Sequence, residues 1–269
     1  MNHTLLKSVI YDQHEFIRNF QIVPRNYEFE ENGNYVLVGL RRAGKSTLLY
    51  KIVLDLVASG VDWDQIIYIN FEDERLSEFT VADFNDILSV QSELSDKKGY
   101  FFLDEVQNID GWEKFARRMA DSKEHIYITG SNARMLSREI ETTLGGRFFA
   151  KHITPYTFGE YLTACEIPHN EPAMLGTKTN GKIRAACAAS NIGLLRYTYT
   201  HNVREYISGV YQKVLLGDII TRNKIRNDYA VKILVKKIAE SVRNEISYSK
   251  LQKTLHAVNV SLAKDTIAD

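Results

Sequence analysis

The sequence predicts an α/β protein with a parallel five-stranded sheet flanked by helices, followed by a smaller and mostly helical C-terminal region. Over the first 160 residues, apolar runs of strand length alternate with helical patterns. The runs lack polar alternation, which is typical of parallel strands buried on both faces. Beyond residue 165 this alternation stops and amphipathic helical patterns follow. At 269 residues the chain has room for one α/β domain and a smaller second domain.

The elements of the α/β region follow one another as strand, helix and strand. The predicted strands are residues 34–40, 65–71, 99–105, 125–131 and 147–154. Helical patterns between them cover residues 46–58, 81–94, 112–120 and 133–141. Such alternation implies right-handed crossover connections, which place helices on both faces of the sheet.

Three segments are expected from these patterns. Residues 1–164 form the α/β domain, and residues 204–269 form the helical C-terminal region. Residues 165–203 are expected to be a linker or irregular segment, since Pro168 and Pro172 flank a polar stretch there.

The loop after the first strand carries a phosphate-binding motif. "GLRRAGKSTLL" has the skeleton G-x-x-x-x-G-K-[ST]. A strand pattern precedes it and a helix pattern follows it, and this context makes a chance match less probable. Glycines let successive amides turn toward one anion, and the following helix adds the positive end of its dipole. Lys45 can reach the β- and γ-phosphates, and the Ser46 hydroxyl can bind Mg²⁺. The predicted cradle comprises Gly39, Arg42, Ala43, Gly44, Lys45, Ser46 and Thr47.

Two acids end the third predicted strand, "GYFFLDE". The carboxyl ends of parallel strands form the edge where open α/β sheets bind ligands. Asp104 is expected to hold Mg²⁺ together with Ser46, and Glu105 to act as the base that polarises the attacking water. The alternative is a strand that runs into a solvated acidic turn.

Polar and basic residues after the fourth strand are further candidates. Ser131 and Asn132 follow a strand expected beside the loop strand, where either could contact the γ-phosphate or the attacking water. The alternative is that one of them caps a helix. Arg147 follows a flexible Gly pair and could reach a phosphate of its own chain or of a neighbour. A surface arginine after a glycine-terminated helix explains the same pattern.

Several motifs together resemble one family. The segments "GLRRAGKSTLL", "INFEDERL", "FFLDEVQNI", "YITGSNARML", "LGGRF" and "ITPYTFGEYL" look like the bacterial and archaeal AAA-type P-loop ATPases that carry a poorly characterised C-terminal region. The resemblance covers residues 1–165 and resumes at 204–227. It implies an AAA-type sheet, ATP and Mg²⁺ as cofactors, a sensor role at Ser131 or Asn132, and an arginine finger at Arg147.

The chain departs from this family in two places. Relatives carry a Gly-Gly-Phe-Pro-like turn after the "EYL" helix, whereas residues 185–202 read "AACAASNIGLLRYTYTHN". Either a local sequence alteration or simple divergence explains this difference. Relatives also continue into a domain that often resembles a nuclease, so this chain is expected to be a C-terminally truncated member.

The C-terminal region is basic and helical. Residues 1–160 hold 18 basic and 25 acidic side chains, and residues 161–269 hold 16 and 9, which gives net charges of −7 and +7. Helical patterns at 229–242, 247–258 and 261–269 resemble a helix-turn-helix or winged-helix unit. Lys250, Lys253 and Lys264 could contact DNA phosphates, although scattered lysines also suit a solvated face. A DNA or protein partner is therefore expected through this region.

The cysteines and the apolar runs indicate the cellular compartment that is expected for the chain. Its two cysteines, Cys165 and Cys187, form no metal or redox pattern, and no apolar run approaches 18 residues. A reducing, cytoplasmic location without a membrane partner is expected.

The predicted function is a Mg²⁺-dependent ATPase that couples hydrolysis to a conformational change on an unknown partner. A homo-oligomer is expected if Arg147 completes a neighbour's site. The alternative is a nucleotide-gated DNA- or protein-binding module with negligible turnover. A GTPase is less favoured, because "NKIR" at 223 lacks the acid of the guanine-reading N-K-x-D pattern. A small-molecule kinase has no acceptor pocket that the sequence reveals.

Overall fold

A computed structural model describes residues 1–30, 33–130, 144–170, 176–190, 203–212, 219–220, 225, 227–241 and 247–257. The chain divides into two compact units, Met1–Tyr199 and Thr200–Asp269.

The first unit contains the predicted alternation of strands and helices. Its strands are β1 (Tyr35–Val38), β2 (Ile66–Asn70), β3 (Tyr100–Asp104), β4 (His125–Gly130) and β5 (Phe149–His152). Its helices are α1 (His3–Arg18), α2 (Lys45–Ala58), α3 (Phe84–Leu94), α4 (Trp112–Asp121), α5 (Phe158–Ala164) and α6 (Thr177–Ser190). Two of these helices were not predicted. Helix α1 precedes the first predicted strand, and α6 lies in the segment expected to be a linker. The helical pattern at 133–141 lies outside the described residues.

The five strands form one sheet in the order β2–β3–β4–β1–β5, and each pair is parallel. The predicted parallel five-stranded α/β architecture is therefore confirmed. Strand β4 lies between β1 and β3, so the loop after β1 and the acids after β3 are separated by the end of β4. All of these ends lie at the same edge of the sheet.

Alternate residues of the strands enter two separate cores. On β3, Phe101 and Leu103 pack against α1, α3 and α4, whereas Phe102 packs against α2. The α2 face carries a row of stacked rings: Tyr35 lies 6.0 Å from Tyr127, Phe102 lies 4.8 Å from Tyr127, and Tyr68 lies 6.0 Å from Phe102. Side chains two positions further along these strands, such as Asp104 on β3 and Thr129 on β4, lie on this same face of the sheet.

Helix α1 places a buried histidine against β2. His14 is 1% exposed, and its Nε2 lies 2.7 Å from the carbonyl oxygen of Ile66. Because a carbonyl only accepts, Nε2 carries the proton, and Nδ1 has no hydrogen-bond partner among the described residues. Burial lowers the pKa of His14 below its ordinary value of 6.5. The folded unit thus favours the neutral imidazole.

The burial of His14 predicts that the free energy of unfolding decreases as the pH is lowered. Between the lowered pKa of the folded state and 6.5, the unfolded chain binds a proton that the folded chain does not. The free energy of unfolding contributed by His14 is therefore fully present above pH 6.5 and is lost as the pH falls below it. The loss is at most about 1.4 kcal/mol per pH unit.

Urea unfolding between pH 8 and pH 5 measures this effect. The variant His14→Gln keeps a donor for the Ile66 carbonyl but does not titrate, so its unfolding free energy should depend less on pH. His152→Gln, at an exposed histidine of β5, is the matched control. An equal pH dependence in the parent and in His14→Gln would contradict the assignment.

The second unit is helical where it is described. It contains α7 (Val203–Gln212), α8 (Asp228–Glu240) and α9 (Tyr248–Ala257). Helices α8 and α9 pack through four buried side chains, Ala230, Leu234, Leu251 and Leu255. Lys250 and Lys253 are exposed, whereas Lys264 and the helical pattern at 261–269 lie outside the described residues. The helix-turn-helix interpretation stays a prediction.

Across the described parts of the chain, every helix is too short or too polar to cross a lipid bilayer.

Candidate functional site

The loop between β1 and α2 folds in a way that only some residues permit. A Cβ on Gly39 would lie 2.2 Å from the carbonyl oxygen of Ile153, so the end of β1 needs glycine for this close approach. Gly44 has φ of 94° and caps α2, and Arg42 adopts a left-handed φ of 63° despite its side chain. Such non-glycine conformations cost energy and concentrate at functional sites.

Lys45 lies inside this loop. Its side chain is 3% exposed, and its ammonium donates to the carbonyl oxygens of Gly39 at 3.2 Å and Leu40 at 3.1 Å. The same Nζ lies 3.6 Å from Oε1 of Glu105. The fold thus brings the predicted phosphate-binding cation and the predicted base together.

Asp104 is buried and surrounded by hydroxyl groups. Tyr68 donates to Oδ2 at 2.8 Å, Thr129 donates to Oδ1, and the Ser46 side chain also hydrogen-bonds this carboxylate. Burial raises the pKa of Asp104, and the nearby Glu105 charge acts in the same direction, whereas the three hydroxyl groups oppose the shift. The residues predicted to hold Mg²⁺, Ser46 and Asp104, are therefore in contact.

These donors fit Mg²⁺. A hydroxyl and a carboxylate are hard oxygen ligands, and Mg²⁺ is commonly held by one or two carboxylates together with substrate phosphates. Among the described residues, no group of three or more His, Cys, Asp and Glu side chains is arranged for a metal ion. Ser46 and Asp104 would thus hold a metal that arrives with phosphate.

Glu105 has a strained backbone at the end of β3. Its φ of 53° and ψ of 40° are left-handed, and such values are uncommon for a residue with a side chain. Its side chain is 12% exposed and accepts a hydrogen bond from Gln107 in addition to the contact with Lys45. This conformation turns the carboxylate toward the loop after β1 instead of along the strand.

Thr129 joins the two acids, and sequence reasoning missed it. It lies on β4, one position beyond the register pair of Leu103 and Ile128, and is fully buried. Its hydroxyl accepts from the backbone N–H of Glu105 at 2.9 Å while it donates to Asp104. A polar residue in the otherwise apolar run "IYIT" was the available signal.

Arg25 is a second site residue that the sequence did not reveal. It is 7% exposed and donates to the carbonyl oxygens of Ala43 and Thr154, each at 2.8 Å, and from Nε to Glu160 at 2.9 Å. One guanidinium thus connects the loop after β1, the segment after β5 and helix α5. The segment "VPRNY" carries no motif, so only the fold reveals this role.

A cavity of about 330 Å³ adjoins the loop. Residues 42–47 and Glu105 line it. Four aromatic side chains, together called the aromatic wall, also line it: Phe16, Phe20, Tyr50 and Tyr156. The ring centroids of Phe20 and Tyr50 are 5.1 Å apart, and those of Phe16 and Tyr50 are 5.7 Å apart. Charged groups and aromatic rings therefore line the same cavity.

Of the three remaining predicted site residues, the structure describes one. Ser131 and Asn132 lie outside the described residues. Arg147 precedes β5 at the amino end of the sheet, and its 40% exposed side chain pairs with Asp121 at the end of α4. The loop and the acids lie at the carboxyl ends of the strands, so Arg147 does not reach the site of its own chain.

Residues 31–162 match the family model described as an AAA domain. This match supports an AAA-type P-loop domain and, with the geometry above, a nucleotide-binding, ATPase-like protein.

Two curated relatives are similar over most of this chain. An uncharacterised protein of Methanocaldococcus jannaschii is 32% identical over 273 residues, which cover 98% of this chain and 59% of the relative. An uncharacterised protein of Haemophilus influenzae is 29% identical over 235 residues, which cover 87% of this chain and 58% of the relative. The chain thus spans about three fifths of the length of these relatives.

Two solved structures are distantly similar. Hsp104 in a closed state with ATPγS and FITC casein is 12% identical, with a TM-score of 0.45 and coverage of 94% of this chain and 46% of that chain. Cdc6p from Pyrobaculum aerophilum is 15% identical, with a TM-score of 0.32 and coverage of 99% and 82%. Likenesses this weak carry no argument about the site.

Proposed function

We propose that this chain is a Mg²⁺-dependent ATPase that couples hydrolysis to a conformational change on a partner. The observation that carries the proposal is the convergence of Lys45, Ser46, Asp104 and Glu105 at one edge of the sheet. Lys45 contacts Glu105, and Ser46 contacts Asp104, so a phosphate-binding cation, a pair of metal ligands and a base would lie together.

Each residue has a defined task in this reaction. The amides of residues 42–47 and the Lys45 ammonium would bind the phosphate oxygens, and Ser46 and Asp104 would hold Mg²⁺, which would neutralise phosphate charge. Glu105 accepts a proton from the water whose oxygen attacks the γ-phosphorus, while the bond to the ADP oxygen breaks. Thr129 would hold the carboxylate of Asp104 and the backbone of Glu105 in place through its two hydrogen bonds.

The aromatic wall supports binding of a nucleoside rather than of phosphate alone. Phe16, Phe20, Tyr50 and Tyr156 line the same cavity as the loop, and aromatic rings stack on nucleobases whatever their hydrogen-bond pattern. Adenine is the base that the family resemblance implies.

Arg25 supports coupling between the nucleotide and the rest of the chain. Its guanidinium contacts Ala43 in the loop and Glu160 in helix α5 at the same time. A shift of the loop during hydrolysis would therefore displace α5 as well. The partner that this movement acts on stays a prediction, as does DNA binding by the C-terminal region.

Binding and turnover test the proposal directly. Titrations of Mg·ATP and Mg·tripolyphosphate should show tighter binding of ATP, because only ATP reaches the aromatic wall. Phosphate release from ATP should require Mg²⁺ and stop in EDTA. Equal affinity for both ligands would remove the nucleoside site, and absence of binding to either would remove the phosphate site.

Arg147 is proposed to act on the site of a neighbouring subunit. Because it lies at the opposite edge of its own sheet, hydrolysis should then require subunits in contact, and turnover per chain should rise with protein concentration. Arg147→Ala should bind ATP normally but hydrolyse it about 10³-fold or more slowly. Phosphate release measured alongside the oligomer mass tests this expectation.

A mixing experiment separates the neighbour's site from other roles of Arg147. Arg147→Ala and Lys45→Ala chains should each hydrolyse ATP far more slowly than the parent, but mixed assemblies can pair an intact loop with an intact arginine and should recover part of the activity. Asp121→Asn removes the intrachain partner of Arg147 and is the control for loss of that ion pair. Turnover that is independent of concentration, with no recovery on mixing, would exclude the role in a neighbour.

A further inference from the structure

Tyr68 lies in the middle of β2 and belongs to the row of stacked rings beneath α2. It is fully buried, and its backbone pairs with Phe102 in the sheet register. The hydroxyl extends beyond Phe102 and donates to Oδ2 of Asp104, two positions further along β3. Tyr68 on β2 thus contacts a diagonal neighbour on the adjacent strand β3.

The residue directly opposite Asp104 does not take this role. Asn70 pairs with Asp104 in the register, but its side-chain oxygen accepts from the backbone N–H of Glu72 at 2.9 Å. Asn70 therefore stabilises the turn after β2. The second oxygen of Asp104 is served by Tyr68 instead.

Tyr68 is also held from its other side. Its side chain hydrogen-bonds Tyr50 on α2, and Tyr50 lines the cavity beside the loop. A ring that only fills space needs neither contact, whereas a group that orients a carboxylate needs its own hydroxyl held in place.

Asp104 retains acceptor capacity beside these contacts. A carboxylate has about four lone-pair sites, and the hydroxyls of Tyr68 and Thr129 occupy one on each oxygen. The Ser46 hydroxyl contacts the same carboxylate at the mouth of the loop. The two buried hydroxyls thus restrain the carboxylate through one oxygen each, and Ser46 contacts it from the loop after β1.

We propose that Tyr68 is a positioning residue for the magnesium site: its hydroxyl holds Asp104 in the orientation that, together with Ser46, receives the metal. The proposal rests on the proposed function, because it assigns a supporting group to the same site. Partners of this kind typically change metal affinity about 10–100-fold when they are removed.

The variant Tyr68→Phe tests this role, because it keeps the ring and removes one oxygen. Binding of a fluorescent ATP analogue is measured against Mg²⁺ concentration, with thermal unfolding recorded for each protein. The Mg²⁺ concentration at half-maximal binding should rise about tenfold or more, while binding in EDTA should match the parent. A role in packing alone would change thermal stability but not the Mg²⁺ requirement.

Tyr127→Phe is the matched control. Tyr127 is buried in the same row of rings, and among the described residues it makes no hydrogen bond to Asp104. This variant should keep the Mg²⁺ requirement of the parent. An equal shift in both variants, or no shift in folded Tyr68→Phe, would overturn the proposal.

A double variant shows whether the effect acts through Asp104. In the Asp104→Asn background the carboxylate is already absent, so Tyr68→Phe should add little to the raised Mg²⁺ requirement. If Tyr68→Phe alone folds poorly, the double variant is still informative, because it contains no buried carboxylate that has lost a hydrogen-bond partner. A full further shift would show that Tyr68 does not act through Asp104. If binding by the parent itself is independent of Mg²⁺, the proposed function fails, and the proposal fails with it.

Discussion

Glu105→Gln should abolish most hydrolysis while ATP still binds. The amide keeps the shape of the side chain and can still accept from Gln107, but it cannot take the proton of the attacking water. A general base of this kind contributes about 10²–10⁴-fold to the rate. Single-turnover phosphate release, with ATP binding measured in parallel, should show a loss of this size in turnover alone.

The matched control for Glu105→Gln is Glu78→Gln, which makes the same chemical change at an exposed position of the same unit. It should behave like the parent. If Glu105→Gln hydrolyses ATP at the parent rate, Glu105 is structural. If the parent binds ATP but does not hydrolyse it, the chain is a nucleotide-gated binding module instead of an ATPase.

Lys45→Ala should weaken binding of Mg·ATP about 10–100-fold, since a charge-assisted contact contributes about 1.5–3 kcal/mol. The substitution removes a buried cation from the loop and also leaves Glu105 without its partner at 3.6 Å. The loss should therefore appear in affinity as well as in turnover. Equilibrium titration of a fluorescent ATP analogue measures the affinity without requiring hydrolysis.

Lys51→Ala controls for loss of a lysine from the same helix. Lys51 lies six residues further along α2 and pairs with the exposed Asp55. This variant should bind ATP like the parent. Unchanged affinity in a folded Lys45→Ala protein would show that the loop does not bind phosphate.

Local patterns predicted the strands of the sheet and the loop and acids that form the candidate site. Apolar runs define the strands, because a strand buried on both faces tolerates few polar residues, and all five lie where they were predicted. The glycines and Lys45 form a contiguous motif, and Asp104 with Glu105 ends a recognisable strand. Helix α1 was not predicted, although its buried residues Leu6, Val9, Ile10 and Ile17 recur at helical spacing. The roles of Ser131 and Asn132 stay predictions.

The sequence by itself predicted which residues would bind phosphate and Mg²⁺, because a glycine-rich loop and strand-terminal acids are local features. The tertiary structure alone decided which side chains support them. Arg25, Tyr68 and Thr129 come from three distant segments, and strand order and register bring them to the loop or to Asp104. The same topology places Arg147 at the far edge of the sheet. A contact across strands depends on which strands are neighbours, and no single segment of a chain encodes its neighbour.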